Sequence, residues 1–338
     1  MLKLGVLDQS PIRAGGTPAQ AIDETIRLAQ EAEAFGYSRY WLAEHHGTDG
    51  FAGSSPEIMI TRVAAATSHI RVGSGGVMLS HYSPLKVAEN FKLLENMYPG
   101  RIDLGIGRAP GSDGLTAAAL AYGNQIGIEY FPTKIGDLAA FLTDTPPPTE
   151  AFSRVRATPK APGTPELWLL GSSDQSAAYA AHFGIAFSFA HFISPQVAAP
   201  VLNYYREKFE PSDLLAAPHA SAGVYVICAE TKAEAERLAA SRDYWRLKLG
   251  QGQHLPYPPP EEALAYPYSP EERQQIEYNK ANRITGDPDM VKAELEALAV
   301  QLGVDELVIL TITYDFEARL RSYRLLAEAF GLGRREAA

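Results

Sequence analysis

Two adjacent histidines follow an acidic residue at the end of an apolar run: WLAEHHGTDG sets Glu44, His45 and His46 just before a glycine-containing turn. Imidazole titrates near pH ~6.5, so a histidine at a strand end suits proton transfer in either direction. In an extended segment neighbouring side chains point to opposite faces, which makes this pair a poor grip for a single ion. No carboxylates converge from neighbouring runs either, and no metal is expected.

A second set of residues suits an anion. RIDLGIGRAPG ends a strand-like run in Gly107 and Arg108, and ELWLLGSSDQSA ends another in Gly171 followed by Ser172, Ser173 and Ser176. The serines surround the first turn of an alanine-rich helix, where hydroxyls and free backbone N–H groups face whatever docks there. Helix capping would explain one serine and a local carboxylate could explain the arginine, but together they favour a phosphate. GIGRAPG is a weak match to a dinucleotide fingerprint, because proline stands where the third glycine should open a helix. In IRVGSGGVML, Gly73, Gly75 and Gly76 suggest a bulge, a tight interior, or a place where something flat meets the backbone.

The elements that position these groups are legible. Eight β-branched, apolar runs span residues 2 to 8, 38 to 44, 70 to 79, 101 to 107, 166 to 171, 184 to 190, 223 to 229 and 306 to 312. Their near-continuous hydrophobicity suits parallel strands covered on both faces. Between them, Thr17-Pro18, Ser55-Pro56, Ser83-Pro84, Ser194-Pro195, Ser269-Pro270 and Asp287-Pro288 each set a side-chain oxygen at N-cap and proline at N1. In the first helix Ile22, Ile26, Ala29, Ala32 and Phe35 recur at helical steps until Gly36.

This alternation predicts an α/β fold, a (β/α)8 TIM barrel forming one domain over 1–338, with insertions after strands four and seven. The insertions are about 109–165, with its TDTPPPT stretch, and 250–286, whose prolines argue against a regular core element and for a lid. A doubly wound sheet would want a glycine fingerprint in the first turn, and DQSPIRAGGTP lacks it.

Thirty basic against forty acidic side chains give a net charge of −10, which argues against a nucleic-acid or anionic-membrane binder. Cys228 is the one cysteine, so disulfides within the chain and cysteine-based metal sites are excluded. With no leader-like or membrane-length apolar stretch, a cytoplasmic protein is expected.

Taken together, WLAEHHGTDG, VGSGGVMLSHYSPLKVAENFKLLENMYPGRIDLGIGRAPG, ELWLLGSSDQSA and DELVILTITYDFEARLRSYRLLAEAF resemble the bacterial luciferase-like flavin-dependent monooxygenases. The resemblance implies that Arg108 with Gly171, Ser172, Ser173 and Ser176 holds the phosphate of FMN. Gly75 and Gly76 match a non-prolyl cis peptide beneath the flavin ring. His45 matches the family's catalytic histidine, which assists the flavin–oxygen chemistry, while His46, Phe51, His81 and Tyr82 line the substrate side. Gly107 replaces a reactive cysteine of the luciferases, so light emission is not implied.

From the resemblance follow an FMN-dependent, two-component monooxygenase, reduced flavin from a separate NAD(P)H flavin reductase, a small organic substrate with O2, and a homodimer. Related barrels use a deazaflavin for hydride transfer, and a flavin-binding protein without turnover is the third reading. His69 and His182 are expected to be structural.

Overall fold

A computed structural model describes residues 2–109, 111–122 and 129–333, so position 110, positions 123–128 of the first expected insertion and both chain ends lie outside the described residues. The strands are β1 (Lys3–Asp8), β2 (Arg39–Leu42), β3 (Arg71–Met78), β4 (Ile102–Gly107), β5 (Glu166–Gly171), β6 (Ala186–Ala190), β7 (Ala220–Cys228), β8 (Arg283–Gly286) and β9 (Glu306–Leu310). All of their pairings are parallel. β1 joins β2 on one side and β9 on the other, and β7 joins β6 to β9, which closes eight strands into a barrel.

The eight expected runs are these eight barrel strands, with ends shifted by a few residues. β8 is additional. Its sequence RITG is short and half polar, and it carries no run of apolar residues to betray it. Tyr225 is flanked by Leu310 of β9 and by Arg283 of β8, so β8 lies on the same side of β7 as β6 and takes over where β6 stops.

All six serine-, threonine- or aspartate-proline pairs begin helical segments, the one at Ser194 opening with a short 3-10 turn. Thr17, Ser269 and Asp287 accept the expected capping hydrogen bond, whereas Ser55, Ser83 and Ser194 do not. In those three the proline's fixed φ, rather than the hydroxyl, marks the start. The helix Pro18–Phe35 buries Ala21, Thr25, Leu28, Ala29 and Ala32, with Ile22 and Ile26 at the margin of that face, and Gly36 ends it at φ 91°.

Both expected insertions contain more regular structure than their prolines suggested. Within 109–165, the helices Gly114–Ala121 and Phe131–Thr143 follow β4, and the second packs Phe131, Ile135, Leu138 and Phe141 inward. Pro132 lies in its first turn, where no intrahelical N–H is lost. Within 250–286, Pro260–Ala265 and Pro270–Lys280 are helices that likewise begin on proline.

The starts of the strands enclose a buried ion network. Arg39 donates to Glu306 at 2.8 Å and to Asp103 at 2.6 Å, and Arg71 also binds Asp103. Gly5 makes room for it, since a Cβ there would meet Arg39 Cγ at 2.8 Å. Above this layer Trp41 and Trp168 meet edge to face at 5.2 Å. The indole N–H of Trp41 donates down to Asp103 at 2.8 Å. The barrel interior is thus filled by these layers, and a cavity opens beyond the ends of the strands. Among the described residues no helix is long and apolar enough to cross a membrane.

Candidate functional site

A cavity of about 620 Å³ lies at the strand ends, a size that suits a cofactor or a small ligand. Each strand delivers a particular surface to it. β2 delivers Glu44, His45 and His46; β3 delivers Gly75, Gly76 and Met78; β4 delivers Gly107 and Arg108; β5 delivers Gly171, Ser172, Ser173 and Ser176.

The glycines of β3 have a steric cause. The register with β4 passes from Ser74↔Leu104 to Val77↔Ile106, so Gly75 and Gly76 together oppose Gly105 in a bulge. A Cβ on Gly76 would meet the Gly105 carbonyl at 2.8 Å, and one on Gly105 would meet the Ser74 carbonyl at 2.2 Å. The Gly75–Gly76 peptide is cis. With Gly107 and Gly171 alongside, this stretch of the cavity wall is backbone without side chains.

β4 and β5 are neighbours, with Gly107 opposite Leu170, and this pairing brings Arg108 to the helix Asp174–His182. The Arg108 guanidinium donates to the side-chain carbonyl of Gln175 in its first turn. Ser173 is the N-cap and accepts from Ser176 N–H, so capping accounts for that one hydroxyl. The Ser173 and Ser176 hydroxyls are 3.2 Å apart. A Cβ on Gly171 would meet Ser176 Oγ at 2.3 Å, so glycine is required for the serine to sit there. An anion here would meet a guanidinium, hydroxyls and a helix N-terminus. Gln175, absent from the sequence reading, completes the cradle.

His45 and His46 have different surroundings. The His45 ring stacks obliquely on Phe51 at 4.6 Å, and its Nδ1 is buried with no hydrogen-bond partner among the described residues. Although the ring borders the cavity, burial first and the neighbouring His46 second lower its pKa from the ordinary 6.5 to about 4. At neutral pH His45 is therefore a neutral ring with an unused nitrogen. His46 also borders the cavity, but its Nε2 lies 2.8 Å from Glu44 Oε1. It is both pocket wall and hydrogen-bond partner of Glu44.

Glu44 organises this corner. Tyr82 donates its hydroxyl to Glu44 Oε1 at 2.6 Å, and Met78 N–H donates to Oε2 at 3.0 Å. Of the residues expected on the substrate side, Phe51 and His46 line the cavity, while His81 and Tyr82 are not part of its lining. The 3-10 turn Leu79–His81 follows β3 directly and leads to Tyr82, whose hydroxyl is engaged by Glu44. His69 and His182 lie elsewhere, exposed and within 3.4 Å of Glu33 and Glu210. Among the described residues no group of three or more His, Cys, Asp or Glu side chains could hold a metal ion.

One wall was not foreseen. Arg242, Trp245, Arg246 and Leu249, from the helix Lys232–Gly250, and His254 and Tyr257, from the segment after it, face the strand ends. Tyr257 N–H donates to Ile12 O and its own carbonyl accepts from Ala14 N–H, which ties this segment over the β1 loop. Two arginines at a spacing of four, beside a tryptophan, were a visible signal. A charged helix face is ordinarily solvated, so this spacing by itself does not mark a cavity wall.

The sequence profile described as "Luciferase-like monooxygenase" matches residues 2–121 and 143–306. The chain belongs to the luciferase-like monooxygenase family. N-acetyl-S-alkylcysteine monooxygenase of Bacillus subtilis is 39% identical over 97% of this chain and 98% of its own length. A luciferase-like monooxygenase of Escherichia coli K12 is 36% identical over 96% of each. The crystal structure of apo-MsnO8 superposes with a TM-score of 0.91 at 41% identity, covering 99% of this chain and 100% of that one. Two more distant structures share the fold: the oxygenating constituent of 3,6-diketocamphane monooxygenase in complex with FMN (TM-score 0.68, 17% identity, 97% of each chain), and an F420-dependent secondary alcohol dehydrogenase (TM-score 0.72, 14% identity, 97% of this chain and 98% of that one). Proteins of this fold thus differ in cofactor.

Proposed function

We propose that the chain is the oxygenating component of a two-component, FMN-dependent monooxygenase acting on a small organic substrate. The observation that carries this reading is the joint placement, in one cavity, of the Arg108–serine cradle, the bare Gly75–Gly76 backbone and the unpartnered nitrogen of a neutral His45. The fit to FMN is direct. An anionic tail suits the cradle, a flat ring suits a wall without side chains, and the orphaned Nδ1 awaits a polar partner.

Reduced FMN, when bound, supplies the two electrons that let O2 deliver one oxygen atom to substrate and release the other as water. The residues do the rest. Arg108, Ser172, Ser173 and Ser176 bind and orient. Phe51, Trp245 and Tyr257 exclude water. His45, neutral at physiological pH, accepts a proton at its free nitrogen and can return it. In this reading the reduced flavin comes from a separate NAD(P)H flavin reductase, and the chain works as a homodimer. The relative named for N-acetyl-S-alkylcysteines makes those compounds the first to try as substrates.

The test is a titration of the purified chain with FMN, riboflavin and F420, followed by oxygen consumption with reduced FMN from a supplied reductase. FMN should bind more tightly than riboflavin, and His45→Ala should keep FMN affinity, lose substrate oxidation and release more hydrogen peroxide. Preferential F420 binding, or unchanged turnover in His45→Ala, would overturn the reading.

A further inference from the structure

The cavity holds more positive charge than one phosphate would use. Its lining includes three guanidiniums, Arg108, Arg242 and Arg246, against a single carboxylate, Glu44, in a chain whose net charge is −10. Arg108 belongs to the serine cradle between β4 and β5. The other two stand on the helix after β7, with β6 intervening round the barrel.

Their surroundings leave them unsatisfied. Arg242 is 3% exposed, and its Nη1 has no hydrogen-bond partner among the described residues. The nearest carboxylate oxygen, Asp243 Oδ1, is 3.6 Å away, and Asp243 is already held by Arg283. Arg242 stacks instead on the Tyr225 ring, 4.2 Å from its centroid. One turn on, half-buried Arg246 has no hydrogen bond or ion pair among the described residues. A buried guanidinium whose nearest carboxylate is shared with another arginine and beyond hydrogen-bond reach is costly, so this arginine and its half-buried neighbour, both facing a cavity, point to an anion that arrives from outside.

The same helix supplies the rest of a binding surface. Trp245 stands between the two arginines in sequence, stacks on Tyr257 at 5.2 Å and meets Phe51 at 5.5 Å. Phe51 in turn covers His45 at 4.6 Å. A continuous aromatic wall therefore runs from the arginine pair to the imidazole.

We propose that the substrate is an organic acid, a carboxylate or sulfonate, whose anionic group binds Arg246 against Arg242 and whose apolar body lies along Tyr257, Trp245 and Phe51 toward His45. This rests on the monooxygenase reading for the identity of the ligand as substrate, while the anion site itself stands on the arginines alone. Arg246 makes the direct contact, and Arg242 holds the field behind it.

The test is calorimetric titration of hexanoate, 4-phenylbutanoate and N-acetyl-S-methylcysteine, each against its neutral amide, into the chain with and without FMN. At least one acid should bind about ten- to a hundredfold more tightly than its amide. Arg246→Met should erase that preference and leave FMN affinity unchanged, and Arg246→Lys should retain part of it. If no acid outbinds its amide, or if Arg246→Met weakens FMN while sparing the acids, the inference is overturned. Failure of the chain to bind FMN would defeat the flavin reading alone, because the acid-over-amide preference is read equally in its absence.

Discussion

The two ends of the barrel carry similar side chains in opposite circumstances. Where the strands begin, Arg39 and Arg71 are shared among the carboxylates of Asp103, Glu166 and Glu306 in a compact ion-pair network. Where they finish, His45 and Arg242 keep buried nitrogens without hydrogen-bond partners. The hollow at the beginning is the larger, about 780 Å³ against about 620 Å³, so size does not mark the functional end. The kind of unsatisfied group does: at the beginning it is one carboxylate oxygen of Glu306, whose other oxygen is held by Arg39 and Ser38, whereas at the finish it is nitrogens of His45 and Arg242, residues that line the cavity.

The contrast can be broken from either side, and the largest effect belongs to the satisfied end. Arg39→Met would leave Glu306 and part of Asp103 uncompensated, and chemical denaturation should show a loss of about 3–5 kcal/mol. The folded fraction should still bind FMN, since none of these groups reaches the cavity.

His45→Asn should do the reverse, lowering turnover about a hundredfold with little loss of stability at neutral pH. Its pH signature has a definite sign. The folded pKa lies near 4, below the ordinary 6.5, so in that window the unfolded chain takes up a proton that the folded one refuses. The stability is fully present above about pH 6.5 and falls toward pH 4, by at most about 3 kcal/mol. Urea midpoints across that range should slope less in the variant; parallel slopes would place the acid sensitivity elsewhere.

Arg108→Met should weaken FMN about tenfold or more while sparing riboflavin, which has no phosphate. Equal weakening of both would place the anion cradle somewhere else. The smallest change is Tyr82→Phe, which removes one hydrogen bond to Glu44 and should cost about 1 kcal/mol with turnover nearly intact. A large loss of activity would return Tyr82 to the substrate side.

What could be foreseen divides along similar lines. The barrel strands were visible because parallel strands covered on both faces are continuous apolar runs, and Glu44 to His46, Gly75-Gly76, Arg108 and the serines were visible because each sits directly after one. Where His81 and Tyr82 stand relative to the cavity could not be read, because the 3-10 turn Leu79–His81 leaves no trace in hydrophobic periodicity. The wall of Arg242, Trp245, Arg246, His254 and Tyr257 was hidden for a deeper reason. It is assembled from the middle of a helix and a proline-containing segment, and only tertiary packing on the β1 loop brings these to the strand ends. RITG in β8 was hidden because its place is set by Glu236 and Asp243 holding Arg283 rather than by any periodicity of its own.

All three tryptophans of the chain stand at this one place: Trp41 in the cavity floor, Trp245 in its wall, and Trp168 a ring's width beneath Trp41. Nearly the whole ultraviolet emission of the protein must then originate within reach of whatever occupies the site. A yellow chromophore settling there would quench it by energy transfer, and a colourless acid beside Trp245 would shift only one component. The molecule thereby carries an optical gauge that can distinguish the two kinds of guest without any added label.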